Sequence, residues 1–152
     1  MKKTFILIII FILIITAITL FASKEELAQG GGSQTSDLQL LARAVNGEAR
    51  GESYEGQVAV AAVILNRVKH ADFPNTIAGV IYEPGAFTAV SDGQINHPIA
   101  ENSTVFKAAQ DAMNGWDPTN GCVYYFNPNT ATNSWIWSKT IVKTIGKHHF
   151  CK

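Results

Sequence analysis

The sequence lacks the short motifs that mark several large classes of enzyme and binding protein. Its 152 residues contain no Gly-x-x-x-x-Gly-Lys phosphate loop and no Gly-x-Ser-x-Gly nucleophile motif. Its two cysteines show no zinc-type spacing with histidine, and no segment repeats. These absences argue against a P-loop nucleotidase, an α/β-hydrolase, a zinc finger and a repeat protein.

Acidic residues are also absent beyond Asp117, so the formal net charge of zero hides a basic C-terminal segment. That segment contains Lys139, Lys143, Lys147 and Lys152. It is either a solvated face or the contact for an anionic partner. We expect no nucleic-acid binding, because the basic residues belong to no recognition helix and no known aromatic motif.

The cysteines and histidines near the C-terminus predict neither a metal nor a thiol nucleophile. His148 and His149 are adjacent, and adjacent side chains diverge on any regular backbone, so we expect no metal ion and no cofactor. Cys122 and Cys151 lie in the part of the chain that export would expose to oxidation. A disulfide worth about 3 kcal/mol and two unpaired small core residues both stay open.

An apolar run from Phe5 to Ala22 follows the basic start Met1-Lys2-Lys3. This pattern predicts an export leader over residues 1–22. The run is long for a secretory signal and near the lower limit for a membrane span, and Leu20 fits a cleavage site poorly. Cleavage as a signal peptide and retention as a membrane anchor through residues 4–22 both stay open.

The rest of the chain divides into a linker and one domain. Residues 23–36 include Gly30-Gly31-Gly32-Ser33-Gln34, which predicts a flexible linker. Residues 37–152 suffice for one domain with a hydrophobic core and are too few for two ordinary ones. We expect this domain to be monomeric.

Three helices are predicted from hydrophobic spacing and capping residues. The first begins at Ser36 or Asp37, and the second runs from Ser53 or Tyr54 to about Lys69. Eight consecutive apolar residues in the second helix, 58–65, predict burial on nearly all sides. The third helix spans about 103–114 and ends at Gly115.

Other segments give shorter elements. Residues 76–82 predict a short helix or turn, and residues 123–126 have the aromatic and β-branched character of a strand. Residues 87–95 predict a hairpin or extended loop with Asp92-Gly93 as its turn. Trp135 and Trp137 alternate, which predicts that they share one face of a strand.

Glu48 is the leading catalytic candidate. It lies where the first amphipathic helix ends, in Asn46-Gly47-Glu48, and the negative end of the helix dipole tends to raise a carboxyl pKa there. A raised pKa suits a general acid near neutral pH. From position alone, a solvated acid at a helix end stays open. Glu52 and Glu55 are interpreted as acids that favour the start of the second helix.

Aromatic residues cluster between residues 124 and 137, interleaved with amides and hydroxyls. The cluster comprises Tyr124, Tyr125, Phe126, Trp135 and Trp137. Flat rings beside such polar groups suit the faces and hydroxyls of sugars. Core packing explains some of these rings equally well, so both interpretations stay open.

Taken together, these segments resemble the SleB-type cell wall hydrolases, the spore cortex-lytic enzymes. The resemblance covers about residues 37–152, in order. Its segments are 40–52 (LLARAVNGEARGE), 54–60 (YEGQVAV), 63–68 (VILNRV), 73–81 (FPNTIAGVI), 85–90 (GAFTAV), 117–119 (DPT), 124–128 (YYFNP) and 145–150 (IGKHHF).

The resemblance implies an α+β, mainly helical, lysozyme-like domain with a small β element. It implies cleavage of peptidoglycan glycan strands by a lytic transglycosylase whose one catalytic glutamate corresponds to Glu48. A threonine that orients the sugar corresponds to Thr132 or Thr130. The candidates for substrate binding are Phe87, Thr88, Tyr124, Tyr125, Asn127, Trp135 and Trp137.

In the implied mechanism, Glu48 protonates the glycosidic oxygen and then accepts the proton of the sugar's own 6-hydroxyl, which leaves a 1,6-anhydro end. No second carboxylate is needed. The longer enzymes of the family carry an N-terminal peptidoglycan-binding domain, whereas a leader and a glycine tether precede the domain here. We therefore expect a cell-wall role outside the cytoplasm, at the wall or the spore cortex.

Three alternatives stay open at this point. One is a hydrolase that uses water, with Glu52 or Asp92 as the base. Another is a wall-binding module that holds glycan through its aromatic residues without cutting it. The third is a cysteine amidase built on Cys122 or Cys151 with His148.

Overall fold

Five helices and one three-stranded antiparallel sheet form the domain, in a computed structural model that describes residues 36–152. One of the helices is buried and lies at the centre of the core. The helices are α1 (36–49), α2 (Tyr54–Lys69), α3 (Ile77–Ile81), α4 (Thr88–Ser91) and α5 (Thr104–Met113). The strands are β1 (Tyr124–Phe126), β2 (Ile141–Ile145) and β3 (His148–Cys151), with short 3-10 helices at Gln94–Asn96 and Ser134–Ser138. The predicted leader, and the linker up to residue 35, lie outside the described residues.

Helix α2 is the central element of the core. Every residue from Val58 to Ile64 is buried, as the apolar run predicts, and α2 packs against α5. Alanines at three of the buried positions, 59, 61 and 62, permit close approach of neighbouring elements. The prediction of a helix buried on nearly all sides is confirmed.

Serine caps fix where α2 and α5 begin. The Ser53 side chain accepts a hydrogen bond from the Gly56 amide at 3.2 Å, and the Ser103 side chain accepts one from the Phe106 amide at 3.2 Å. Gly115, with φ of 106°, follows the end of α5 in the left-handed region that favours glycine. These starts and ends agree with the predicted boundaries.

The sheet has the order β1-β3-β2, and both pairs are antiparallel. Its inner face, defined by Tyr125, His148 and Phe150, carries rings in mutual contact and packs on the main core. Its outer face, defined by Tyr124, Phe126 and Cys151, packs instead against the 3-10 helix Ser134–Ser138 through Ile136. Adjacent residues of β1 thus face opposite sides of the sheet.

Two predictions of local structure are wrong. Residues 87–95 form α4 and a 3-10 helix rather than a hairpin, because Asp92-Gly93 joins two short helices: the Asp92 carboxylate accepts from the Gln94 amide at 3.0 Å. Trp135 and Trp137 lie on a 3-10 helix rather than a strand. There the Asn133 side chain accepts from the Trp135 amide at 3.0 Å and caps the helix.

Both cysteines are buried free thiols, so the structure has the unpaired alternative rather than the disulfide. Glu55 lies in the first turn of α2, as predicted. Glu52 differs from its prediction, because its carboxylate accepts a hydrogen bond from the Lys147 amide in the β2–β3 turn at 3.1 Å. Within residues 36–152, no helix combines the length and the hydrophobicity needed to cross a membrane.

Candidate active site

Glu48 lies in the last turn of α1, and each of its carboxylate oxygens has a hydrogen-bond donor. The Thr88 backbone amide, at the start of α4, donates to Oε1 at 3.2 Å. The Tyr125 hydroxyl, on the inner face of β1, donates to Oε2 at 3.1 Å. Three elements that are distant in sequence therefore meet at this one side chain.

Burial raises the pKa of Glu48 above that of an ordinary glutamate. The Tyr125 hydroxyl and the backbone amides of Thr88 and Ala89 oppose this effect, while the negative charge of Asp92 adds to it. The sequence predicted a raised pKa from the helix dipole, whereas burial is the leading cause in the structure. The protonated acid is favoured, and the carboxylate has donors ready when it forms.

The Tyr125 hydroxyl is fixed in place and protonated, so it can donate a hydrogen bond to Glu48. Its ring packs against His148 with centroids 5.3 Å apart and against Phe150 with centroids 6.0 Å apart. Burial, together with the negative charge of Glu48, raises the Tyr125 pKa well above its usual value. The phenol therefore keeps its proton whenever Glu48 is ionised.

Gly47 explains how α4 approaches Glu48 so closely. A Cβ atom at this position would lie 2.4 Å from the Ala89 Cβ atom, far inside van der Waals contact. The absence of a side chain lets the N-terminal end of α4 pack directly against α1. As a result, the Thr88 amide reaches the carboxylate of the residue next to Gly47.

Arg67 links the two segments that supply these donors. Its Nε atom donates to the Val123 carbonyl, just before β1, at 2.7 Å. Its guanidinium carbon lies 5.6 Å from the ring centroid of Phe87, the residue before Thr88, and 5.3 Å from that of Phe73. Burial lowers the pKa of Arg67, and the neighbouring Tyr125 and Glu83 oppose that shift.

The predicted site residues separate into two groups. Glu48, Thr88 and Tyr125 come together, with Phe87 behind them against Arg67. The other aromatic candidates lie on the outer face of the sheet. There the ring of Tyr124 lies 5.2 Å from that of Trp135, and that of Phe126 lies 4.9 Å from that of Trp137.

The polar candidates between β1 and the second 3-10 helix do not contact Glu48 by hydrogen bonds. The Asn127 side chain accepts from the Asn129 amide at 2.9 Å, and its carbonyl accepts from the Thr130 amide at 3.1 Å, so it organises a turn. Thr132 is exposed and makes no side-chain hydrogen bond to another residue of 36–152. Its assignment as a catalytic residue stays a prediction.

The carboxylates of the water-dependent alternative have other partners. Glu52 is bonded to the Lys147 amide, and Asp92 is bonded to the amide and side chain of Gln94. Neither makes a hydrogen bond to Glu48 or Tyr125. Hydrogen bonds to Gln94 lower the pKa of Asp92, which keeps it ionised.

The thiols lack the surroundings of a nucleophile. Burial raises the pKa of both Cys122 and Cys151, which favours the unreactive thiol. The Cys122 thiol donates to the Thr119 carbonyl at 3.1 Å, and the His148 ring packs on Tyr125. Across the described part of the chain, no three His, Cys, Asp or Glu side chains form a group that could hold a metal ion.

Comparisons with known proteins identify the family. The cell wall hydrolase family matches residues 51–151. The chain belongs to this family. It is 63% identical over 121 residues to the spore cortex-lytic enzyme of Bacillus cereus, an alignment that covers 80% of this chain and 46% of that enzyme.

Two solved structures are similar to this member of the cell wall hydrolase family. The catalytic domain of the Bacillus cereus SleB protein has a TM-score of 0.74 and 64% identity, covering 78% of this chain and 91% of that one. The catalytic domain of the germination-specific lytic transglycosylase SleB from Bacillus anthracis has a TM-score of 0.72 and 64% identity, covering 76% and 93%. The predicted family resemblance and the α+β, lysozyme-like fold are confirmed. The chain spans about half the length of the spore cortex-lytic enzymes.

Proposed function

We propose that this chain cleaves the glycan strands of peptidoglycan as a lytic transglycosylase with Glu48 as its one catalytic carboxyl group. The observation that carries the proposal is the pair of donors on a partly buried Glu48 whose pKa is raised. The similar proteins are named for spore cortex lysis and for lytic transglycosylation, which supports the same substrate and reaction.

The reaction needs one group that first donates and then accepts a proton. Glu48 donates its proton to the glycosidic oxygen as the bond from that oxygen to the anomeric carbon breaks. The oxygen of the sugar's 6-hydroxyl then bonds to the anomeric carbon, and its proton passes to the Glu48 carboxylate. Between these steps the Tyr125 hydroxyl and the Thr88 amide stabilise the carboxylate, and the final transfer regenerates the acid.

The remaining parts of the proposal concern substrate contacts and location. We assign Thr88 and Tyr125 to the substrate side of the catalytic site, Phe87 to the packing against Arg67 that supports Thr88, and Thr132 to the orientation of the reacting sugar. The protein acts outside the cytoplasm, as a monomer, on the wall or the spore cortex. Export depends on residues 1–22, either as a cleaved signal or as an anchor.

Glu48→Gln tests the assignment, because glutamine keeps the shape of the side chain but cannot donate the proton. We expect the rate of solubilisation of purified cortex to fall by at least about 100-fold, the usual contribution of a general acid. Glu101→Gln, at an exposed loop residue, is the matched control and keeps the wild-type rate. A Glu48→Gln rate within about tenfold of wild type would contradict the assignment.

Mass spectrometry of the products distinguishes the reaction types. Anhydro ends are the expected result, since the 6-hydroxyl is the nucleophile. Reducing ends would replace the transglycosylase with a hydrolase that uses water. Wall binding without any soluble product would replace the enzyme with a binding module.

A further inference from the structure

A pocket lies on the side of β1 that faces away from Glu48. Tyr125 turns to the inner face and bonds to Glu48, whereas the adjacent Tyr124 turns to the outer face and lines this pocket. The pocket has a volume of about 420 Å³. A volume in this range accommodates a group of the size of an amino acid, and the mechanism above makes no use of it.

Two lysines contribute positive charge to this pocket. The Lys139 ammonium lies 4.5 Å from the ring centroids of both Tyr124 and Trp135, which holds it at the pocket wall. Lys152 lines the same pocket beside Gly121, where a Cβ atom would lie 3.8 Å from the Lys152 ammonium. Neither lysine forms a salt bridge with another residue in 36–152, so both charges are available to a ligand.

Asp72 contributes a negative charge to the same wall. Its side chain is 80% exposed and lies 3.8 Å from His70 Nδ1. The Asp72 backbone N–H donates to the same nitrogen at 3.3 Å. The side chains that line the pocket therefore include two ammonium groups and one carboxylate.

This pattern of charges complements a ligand that itself carries both signs. A carboxylate would bind the two lysines through charge-assisted hydrogen bonds, and an adjacent ammonium would bind Asp72. The ring of Tyr124, which lines the pocket, would pack against the apolar part of such a ligand. A simple inorganic anion would satisfy the lysines but would be repelled by Asp72.

We propose that this pocket binds an amino-acid head group, a carboxylate beside an ammonium, as carried at the free end of a diamino acid in a peptidoglycan stem peptide. The choice of a stem peptide rests on the proposed function, since such peptides are attached to the glycan strand. Binding here holds the stem peptide on the side of the sheet opposite Glu48.

Titration calorimetry of the full-length chain with a synthetic stem tripeptide ending in diaminopimelate tests the proposal. We expect Lys139→Gln/Lys152→Gln to weaken binding at least about tenfold, because each lost charge-assisted contact is worth that much. Asp72→Asn weakens the tripeptide and not an analogue whose side-chain ammonium is acetylated. Lys107→Gln/Lys147→Gln, at two exposed lysines outside the pocket, is the charge-matched control and binds as wild type.

Ligand analogues separate this site from a general anion site. Amidation of the diaminopimelate carboxylate weakens wild-type binding at least about tenfold. Equal binding of the amidated analogue, equal binding by inorganic phosphate, or binding by the double lysine variant within about twofold of wild type would each overturn the proposal. The binding measurement involves no cleavage, so it fails or succeeds independently of the glycan-strand assay with Glu48→Gln.

Discussion

Replacing Gly47 with alanine places a methyl group where the Ala89 side chain already lies. The new Cβ atom would be 2.4 Å from the Ala89 Cβ atom, whereas ordinary contacts are 3.4–4 Å, so α1 and α4 must separate by about 1 Å. That movement carries the Thr88 amide away from Glu48. Since a misplacement of about 1 Å at a reacting group costs about 100-fold in rate, we expect kcat to fall by about that factor.

The assay is the rate of cortex solubilisation, measured beside the free energy of unfolding in urea. Overpacking of this kind destabilises a domain by about 1–3 kcal/mol, so the variant still folds at moderate temperature and the rate loss can be assigned to geometry. Gly51→Ala is the matched control, because a Cβ atom there meets nothing within 4 Å. We expect that control to keep the wild-type rate.

A second substitution tests whether the contact with Ala89 is the cause. In Gly47→Ala/Ala89→Gly, the nearest remaining atom is the Cα of residue 89 at 3.5 Å, an ordinary contact. We expect the rate to recover most of the loss, although glycine in α4 costs about 1 kcal/mol of stability. Wild-type activity of Gly47→Ala, or no recovery in the double variant, would refute the reasoning.

The other predictions concern the pKa of Glu48 and the contacts of Arg67. A general acid is active below its pKa, so a higher pKa moves the alkaline limb of the kcat/KM profile to higher pH. Tyr125→Phe removes a donor to the ionised form of Glu48, which raises the Glu48 pKa and moves that limb to higher pH. Asp92→Asn removes a neighbouring negative charge, which lowers the Glu48 pKa and moves the limb to lower pH. Shifts of the two variants in the same direction would contradict this. Arg67→Lys loses the bond from Nε and the stacked guanidinium, and we expect about 2 kcal/mol less stability in urea unfolding together with a lower kcat. Arg50→Lys is the control, because the hydrogen bond from Arg50 to Gln94 is exposed, and it changes stability by less than about 0.5 kcal/mol. Equal losses of stability in the two variants would count against the role of Arg67.

The helices could be predicted because their signals are local. Ser53 and Ser103 cap helices within three residues of themselves, and the apolar run 58–65 identifies α2 as buried. The segment 87–95 could not be assigned from Asp92-Gly93 alone, because the same turn chemistry joins two strands or two short helices. The choice depends on packing of α4 against Gly47, which lies about 40 residues away in sequence.

The catalytic candidate was found by sequence, but most of its surroundings were not. Glu48 followed from a helix end and a family resemblance, and Thr88 and Tyr125 were named as substrate-binding candidates. Their hydrogen bonds to Glu48 join residues 40 and 77 positions apart, and one of them uses a backbone amide, which no side-chain motif reveals. Side chains of β1 alternate between the two faces of the sheet, so Tyr125 lies on the inner face while Tyr124 and Phe126 lie on the outer face. This division depends on strand register, which composition does not show.

A single carboxyl group that acts as acid and then as base has two opposed requirements. It must hold a proton near neutral pH, and it must also be stable as an anion for the time between the two transfers. In the proposed mechanism, burial meets the first requirement by raising the Glu48 pKa, and the two donors meet the second because they stabilise only the ionised form strongly. Tyr125 can serve this second role because its own pKa is raised, so its hydroxyl does not transfer its proton to the Glu48 carboxylate. Loss of burial should therefore impair glycosidic cleavage, and loss of a donor should impair anhydro-ring closure. A comparison of the rates of the two steps would detect the difference.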